Sequence, residues 1–145
     1  MSRRILVPTD GSAGANAAVD AAIGFAHDSA AHIIGLHVTS LPSLLSEGTG
    51  VIGGPESGDV SRECLGYLQR RAAQAHVPAE VLLRRADTPS DAILAAAREL
   101  KCDLIVMGAH GRNTAVTHRL GSQTSTVLAH GPIPVLVVPL RRQEG

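Results

Sequence analysis

The stretch from Asp103 to Ser125, DLIVMGAHGRNTAVTHRLGSQTS, decides how the rest of the sequence is interpreted. It begins as an apolar strand, continues into a loop with Gly108 and Gly111, and ends at Gly121-Ser122, where a helix is predicted to start. Glycines let backbone N–H groups approach a ligand closely, and a helix N-terminus favours negative charge. The pattern therefore predicts a phosphate-binding loop between a strand and a helix.

Length and composition limit the class of protein. A chain of 145 residues has the size of one domain, so residues 1–145 are interpreted as a single domain. Apolar residues make up 44% of the sequence and aromatic residues only 1%, so the core must be aliphatic, which suits parallel α/β layers. The net charge of zero provides no basic field for a nucleic acid. Without a long apolar run or a signal-peptide pattern, we expect a cytoplasmic protein with no membrane partner.

Strand and helix patterns alternate along the chain. Strands are predicted at residues 3–9, 31–39, 79–85, 103–107 and 134–139, with helices between them. This alternation predicts an α/β fold: a single five-stranded parallel sheet flanked by helices on both faces, which is a Rossmann-like architecture. Ser12 and Thr88 are candidate N-caps for two of the helices. Residues 40–58 are rich in Gly and Ser and lack periodicity, so they are expected to form a flexible loop.

Two strands end in residues suited to ligand binding. The first ends in Pro8-Thr9-Asp10 and the fourth in Gly108-Ala109-His110. Ligands of parallel α/β sheets bind at the carboxyl ends of strands, where the winding reverses. If these two strands are neighbours, the crevice between them is the expected site. Asp10 could contact a ligand there, or it could bond its own backbone in a turn.

Other chemistries are less well supported by the sequence. Residues 48–53 spell G-x-G-x-x-G, but they neither follow a strand directly nor open a helix, which favours a flexible loop. No Walker A motif is present, and the single lysine, Lys101, precedes a strand. Asp10, His110 and Ser122 are residue types of a hydrolytic triad, but there is no G-x-S-x-G elbow, so Ser122 is interpreted as a binding hydroxyl.

The remaining candidate groups are interpreted as structural. His37, near the end of the second strand, is expected to be a hydrogen-bonded structural histidine, and the histidines show no metal-ligand spacing. Cys64 and Cys102 are expected to be small buried thiols rather than a disulfide.

Taken together, these features resemble the universal stress protein family, and in particular its ATP-binding branch. That branch is marked by G-x2-G-x9-G-[S/T], which this sequence contains as Gly108-x2-Gly111-x9-Gly121-Ser122. The opening ILVPTDGS and the closing GPIPVLVVP are also similar, and the resemblance extends from Arg3 to Pro139. It implies a five-stranded fold of the adenine nucleotide alpha hydrolase-like type.

The resemblance also implies a ligand and residue roles. The ligand would be ATP, with Mg²⁺ held mainly by the phosphates. Thr9 and Asp10 would lie beside the adenosine, Val38 would meet the adenine, and Ser122 with the two residues after it would hold phosphate oxygens. Arg112 could neutralise phosphate charge or could equally be a solvated surface residue. The full set of expected nucleotide-binding residues is Pro8, Thr9, Asp10, Val38, Met107, Gly108, His110, Gly111, Arg112, Gly121, Ser122, Gln123 and Thr124.

The implied function is regulatory. A small ATP-binding protein would act in a stress response through nucleotide occupancy, with little or no hydrolysis, because no general base is convincingly placed. Two alternatives stay open: a dimeric interaction module that does not depend on nucleotide, and a slow ATPase. A homodimer through residues 134–139 is expected, because an exposed Val-rich edge strand needs a cover and the family is often dimeric through its last strand.

Overall fold

The computed structural model of the protein describes residues 3–39, 55–110 and 120–140. Strands and helices alternate within these ranges, and the sheet order is β3-β2-β1-β4-β5 with parallel pairing between neighbours. The predicted α/β fold with a single five-stranded parallel sheet is confirmed. The elements are β1 (Arg4–Pro8), α1 (Ala13–Ser29), β2 (His32–Thr39), α2 (Pro55–Gln74), β3 (Ala79–Arg85), α3 (Pro89–Glu99), β4 (Leu104–Gly108), α4 (Ser122–His130) and β5 (Val135–Val138).

The strand order explains where a ligand can bind. From β1 the chain proceeds outward through β2 to β3, and then continues on the other side of β1 with β4 and β5. The winding therefore reverses between β1 and β4, which pair with each other directly. The two strands whose ends carry the unusual residues are neighbours, as the sequence analysis required for a site between them.

Two apolar layers hold the helices on opposite faces of the sheet. Successive side chains of a strand point to opposite faces. In β1, Ile5 and Val7 accordingly join a cluster that includes the buried faces of α1 and α2, whereas Leu6 joins a second cluster with α3 and α4. The buried members of both clusters are aliphatic or sulfur-containing, as expected from the low aromatic content. This packing fixes all four helices relative to the strand ends.

The helix starts differ partly from expectation. Ser12 caps α1 as predicted, because its Oγ accepts a hydrogen bond of 3.1 Å from the Ala15 N–H. Thr88 occupies the N-cap position of α3 as predicted, but its side chain makes no capping bond within the described residues. A side chain from α4 takes over this role, since the Ser90 N–H donates to Oε1 of Gln123 at 2.8 Å.

The second helix begins earlier than predicted. α2 starts at Pro55, so residues 55–58 are helical and the prediction of a loop over 40–58 was wrong for them. Proline suits the first position of a helix, because its φ is already fixed near the helical value and no N–H is needed there. Residues 40–54, which contain the G-x-G-x-x-G sequence, lie outside the described residues.

Two further predictions concern the thiols and the membrane. Cys64 and Cys102 are both free and buried, as expected. None of the helices in the described ranges combines the length and the apolar character that crossing a membrane requires.

Candidate ligand-binding cleft

A cleft of about 180 Å³ lies at the carboxyl ends of β1, β2 and β4. Every expected site residue within the described ranges lines it. Two expected residues, Gly111 and Arg112, lie outside those ranges. The predicted residues that the structure brings together are Pro8, Thr9, Asp10, Val38, Met107, Gly108, His110, Gly121, Ser122, Gln123 and Thr124.

Four lining residues were not predicted. Ala15 comes from α1, Leu36 from β2, and Pro89 and Ile93 from the start of α3. Leu36 could have been found from the alternation along β2, because it is two residues before Val38 and lies on the same face. The α3 residues carried no such signal, since they look like an ordinary helix start with an apolar face.

The turn after β1 is held by its own side chains. Oγ1 of Thr9 accepts from the Gly11 N–H at 3.2 Å, and Oδ1 of Asp10 accepts from the Ser12 N–H at 2.9 Å. Gly11 has a φ of 80°, a left-handed conformation that glycine adopts without a steric penalty. Asp10 therefore has the turn-forming role that the sequence left open, and it also lines the cleft.

The carbonyl oxygen of Thr9 is contacted by the side chains of His37 and Cys64. Nδ1 of His37 lies 2.8 Å from it, and Sγ of Cys64 lies 3.9 Å from it. A carbonyl oxygen can only accept, so the His37 ring must carry a proton on Nδ1. Both side chains are buried, with exposed fractions of 7% for His37 and 2% for Cys64. The prediction of a hydrogen-bonded structural histidine is confirmed. The partner of His37 is Thr9, which lies in the turn after β1 and lines the cleft.

Gly108 has a packing role as well as a place in the cleft. A Cβ built on it would lie 2.8 Å from the carbonyl oxygen of Gly14, and one on Gly14 would lie 3.0 Å from the carbonyl oxygen of His110. The end of β4 and the first turn of α1 therefore touch backbone to backbone. Gly14 was not among the predicted site residues, because the apolar periodicity of a helix does not indicate which element packs against its first turn.

The start of α4 is joined to the end of β4. The Gly121 N–H donates to the carbonyl oxygen of Ala109 at 2.7 Å, and Oγ1 of Thr124 donates to the carbonyl oxygen of Gly108 at 2.8 Å. These two bonds set the helix N-terminus beside the strand end, so Gly121 lies close to Gly108 and Ala109. Thr124 is buried and its hydroxyl already donates to Gly108, so the proton of this hydroxyl is not available to a ligand.

The cleft combines two kinds of surface. Leu36, Val38, Ile93 and Met107 provide apolar walls at one part of it. At another part, α4 begins with N–H groups that have no carbonyl partner in their own helix and carry the positive end of the helix dipole. Such a site suits a ligand with an apolar ring and an anionic group. No cluster of metal-ligating side chains occurs among the residues that the structure describes.

Fold and cleft together define a doubly wound α/β protein with a ligand-sized cleft where the strand order reverses. The model of the universal stress protein family matches residues 1–139. The chain therefore belongs to the universal stress protein family.

Individual relatives agree with this assignment. A universal stress protein of Thermus aquaticus is 34% identical over 143 residues, which cover 95% of this chain and 99% of the relative. A solved structure of a family member from Burkholderia pseudomallei has a TM-score of 0.74 and 28% identity, over 94% of this chain and 95% of that one. A solved universal stress protein in complex with cAMP has a TM-score of 0.71 and 28% identity, over 96% of this chain and 98% of that one.

Proposed function

We propose that this protein is a cytoplasmic regulator in a stress response that binds an adenine nucleotide, preferably ATP, in the cleft between β1 and β4. The observation that carries the proposal is the junction of β4 and α4. Gly108 and Gly121-Ser122 lie together there, at a helix N-terminus that faces the same cavity as the apolar walls. The similar family member solved with cAMP supports an adenine nucleotide as the class of ligand.

The two surfaces of the cleft suggest the orientation of the nucleotide. The adenine ring would pack between aliphatic side chains, with Val38 and Met107 among them, and the adenosine would lie beside Thr9 and Asp10. The phosphates would accept hydrogen bonds from N–H groups at the start of α4, where Ser122 adds a hydroxyl. No lysine is required in this arrangement, because backbone donors and the helix dipole provide the positive potential.

Catalysis is expected to be slow or absent. Asp10 is the only carboxylate among the described residues that line the cleft, and its Oδ1 already accepts from the Ser12 N–H in the turn. An Mg²⁺ ion, where one accompanies ATP, would be held mainly by the phosphate oxygens. We therefore propose that occupancy of the cleft, and not turnover, is the signal.

A homodimer through residues 134–139 is proposed as the assembly. β5 is an edge strand, and Leu136 on it is 39% exposed. An apolar strand edge promotes pairing with another chain unless something covers it, and a two-fold partner would provide the cover. Sedimentation of wild-type protein and of Leu136→Glu, with and without ATP, tests this assembly and whether it depends on nucleotide.

Titration calorimetry with ATP, AMP and adenosine tests the ligand. We expect ATP to bind, and Ser122→Ala to weaken its binding by roughly tenfold or less, the usual cost of one lost hydrogen bond. Ser125→Ala is the matched control, because Ser125 is exposed on the same helix and does not line the cleft. Wild-type protein that shows no heat of binding with millimolar nucleotide would disprove the proposed function.

A further inference from the structure

We infer that Gln123 is a specificity-determining residue of the cleft: its oxygen accepts a hydrogen bond from helix α3, which leaves the two N–H donors of its carboxamide for the ligand. The inference rests on the proposed nucleotide site and specifies how that site selects an anionic group. The family resemblance already implied that Gln123 lies near phosphate oxygens, but nothing in the sequence indicated that its side chain also contacts α3.

The orientation of the carboxamide follows from one contact. The Ser90 N–H donates a hydrogen bond of 2.8 Å to the Gln123 side chain, and the accepting atom must be an oxygen. This contact removes the usual ambiguity between the oxygen and the nitrogen of a glutamine side chain. Nε2 with its two N–H groups therefore has no hydrogen-bond acceptor among the described residues, and it belongs to a side chain that lines the cleft.

Helix α3 depends on this contact. Its N-cap residue, Thr88, makes no side-chain capping bond to any described residue, and the Ser90 hydroxyl is buried without a described partner. Gln123 thus caps α3 from the first turn of α4, which places the positive ends of two helices next to each other. The same carboxamide couples the position of α3 to that of the proposed phosphate-binding turn.

The chemical consequence is a part of the cleft that offers donors to a ligand. The amide N–H groups of Gln123 add to the backbone N–H groups at the start of α4. A group that accepts several hydrogen bonds and carries negative charge fits this surface, whereas a neutral donor does not. The arrangement selects the phosphorylated form of a nucleoside over the nucleoside itself.

The variant Gln123→Glu tests the inference, because it preserves the shape and the capping oxygen. A carboxylate oxygen still accepts from the Ser90 N–H, and negative charge at helix N-termini is favourable, so stability should be kept. The donors are replaced by an anionic oxygen, however. Affinity for ATP should fall by roughly tenfold or more through charge repulsion and lost donation, while affinity for adenosine should stay unchanged.

Two further variants separate the causes. Ser125→Glu adds the same charge to α4 at an exposed position outside the cleft lining, so ATP should bind to it nearly as to wild type. Gln123→Met removes both the cap and the donors without adding charge. It should lower the melting temperature and weaken ATP more than adenosine, and it provides the test if Gln123→Glu does not fold.

The outcomes distinguish this inference from the proposed function. If ATP binds to wild type and equally well to Gln123→Glu, the role of Gln123 is wrong while the nucleotide site stands. Equal losses for ATP and adenosine would indicate a general distortion of the cleft and would also overturn the inference. Wild-type protein that binds neither compound would overturn both proposals together.

Discussion

Substitution of Gly108 by alanine tests the contact on which the geometry of the cleft depends. A Cβ at Gly108 would lie 2.8 Å from the carbonyl oxygen and 2.9 Å from the carbonyl carbon of Gly14, and 3.3 Å from the nitrogen of Ala15. All three atoms belong to the backbone, so no side chain can rotate away to make room. The end of β4 and the start of α1 must instead separate by several tenths of an ångström.

The expected cost follows from this geometry. Overpacking of a close contact typically costs ~1–3 kcal/mol. Alanine also lowers the conformational entropy of the unfolded chain relative to glycine, which raises the unfolding free energy by about 0.4–1 kcal/mol. The difference between these ranges is about 0–2.6 kcal/mol. Because every contacted atom belongs to the backbone, we expect a net loss of about 1–2 kcal/mol of unfolding free energy, or roughly 2–8 °C in melting temperature for a domain of this size. Binding of ATP should weaken as well, because the separation moves β4 away from the turn that holds Asp10.

A second glycine provides the matched control. Gly24 lies within α1, and apart from its chain neighbours and the nearby backbone of its own helix, no described atom would come within 4 Å of a Cβ placed there. Gly24→Ala should raise stability by about 0.5–1 kcal/mol, the usual gain from replacing a helical glycine. Urea denaturation followed by far-ultraviolet circular dichroism measures both variants. A Gly108→Ala protein as stable as wild type would refute the argument from backbone contact.

Three further outcomes are expected. His37→Leu removes the donor to the Thr9 carbonyl and should lower the unfolding free energy by about 1–3 kcal/mol in chemical denaturation, and it should weaken ATP binding in calorimetry. Unchanged ATP affinity would mean that the turn keeps its conformation without this hydrogen bond. Burial raises the pKa of the Cys102 thiol from 9.0 to about 11, so the thiol keeps its proton to higher pH in the folded state than in the unfolded state. The free energy of unfolding should therefore fall as the pH rises from 9.0 to about 11, and a Cys102→Ala variant should lack this decrease. Burial, followed by the hydrogen bond to Asp20, raises the pKa of Tyr67 above 10.0, so Asp20→Asn should shift the absorbance titration of this single tyrosine to lower pH; no shift would argue against the bond.

Much of the fold could be predicted from the sequence because it depends on short-range patterns. Apolar runs separated by amphipathic helices define a parallel sheet, and strand ends with unusual residues define where a ligand can approach. Thr9 at the end of one strand and Gly108 at the end of another could therefore be assigned to one cleft on the condition that the two strands are neighbours. Parallel strands bring their carboxyl ends to the same edge, and the pairing of β1 with β4 fulfils that condition.

Contacts between distant elements could not be predicted in the same way. Gln123 caps α3 through the N–H of Ser90, which lies 33 residues earlier in the chain, whereas a local motif suggested Thr88 for that role. Gly14 looks like any small residue in a helix until β4 is seen to pack against it. Pro55 was taken as part of a loop because glycines surround it, although proline also suits a first helical turn.

The aliphatic interior has a practical consequence for spectroscopy. The chain contains no tryptophan, its single phenylalanine is 48% exposed at Phe25, and its single tyrosine is only partly buried at the rim of one cluster. The described lining of the cleft contains the methyl groups of Val38, Ile93 and Met107 but no phenylalanine, tyrosine or tryptophan side chain. A purine that enters would shift their proton resonances through its own ring current, and the sizes of these shifts would show which wall it stacks on.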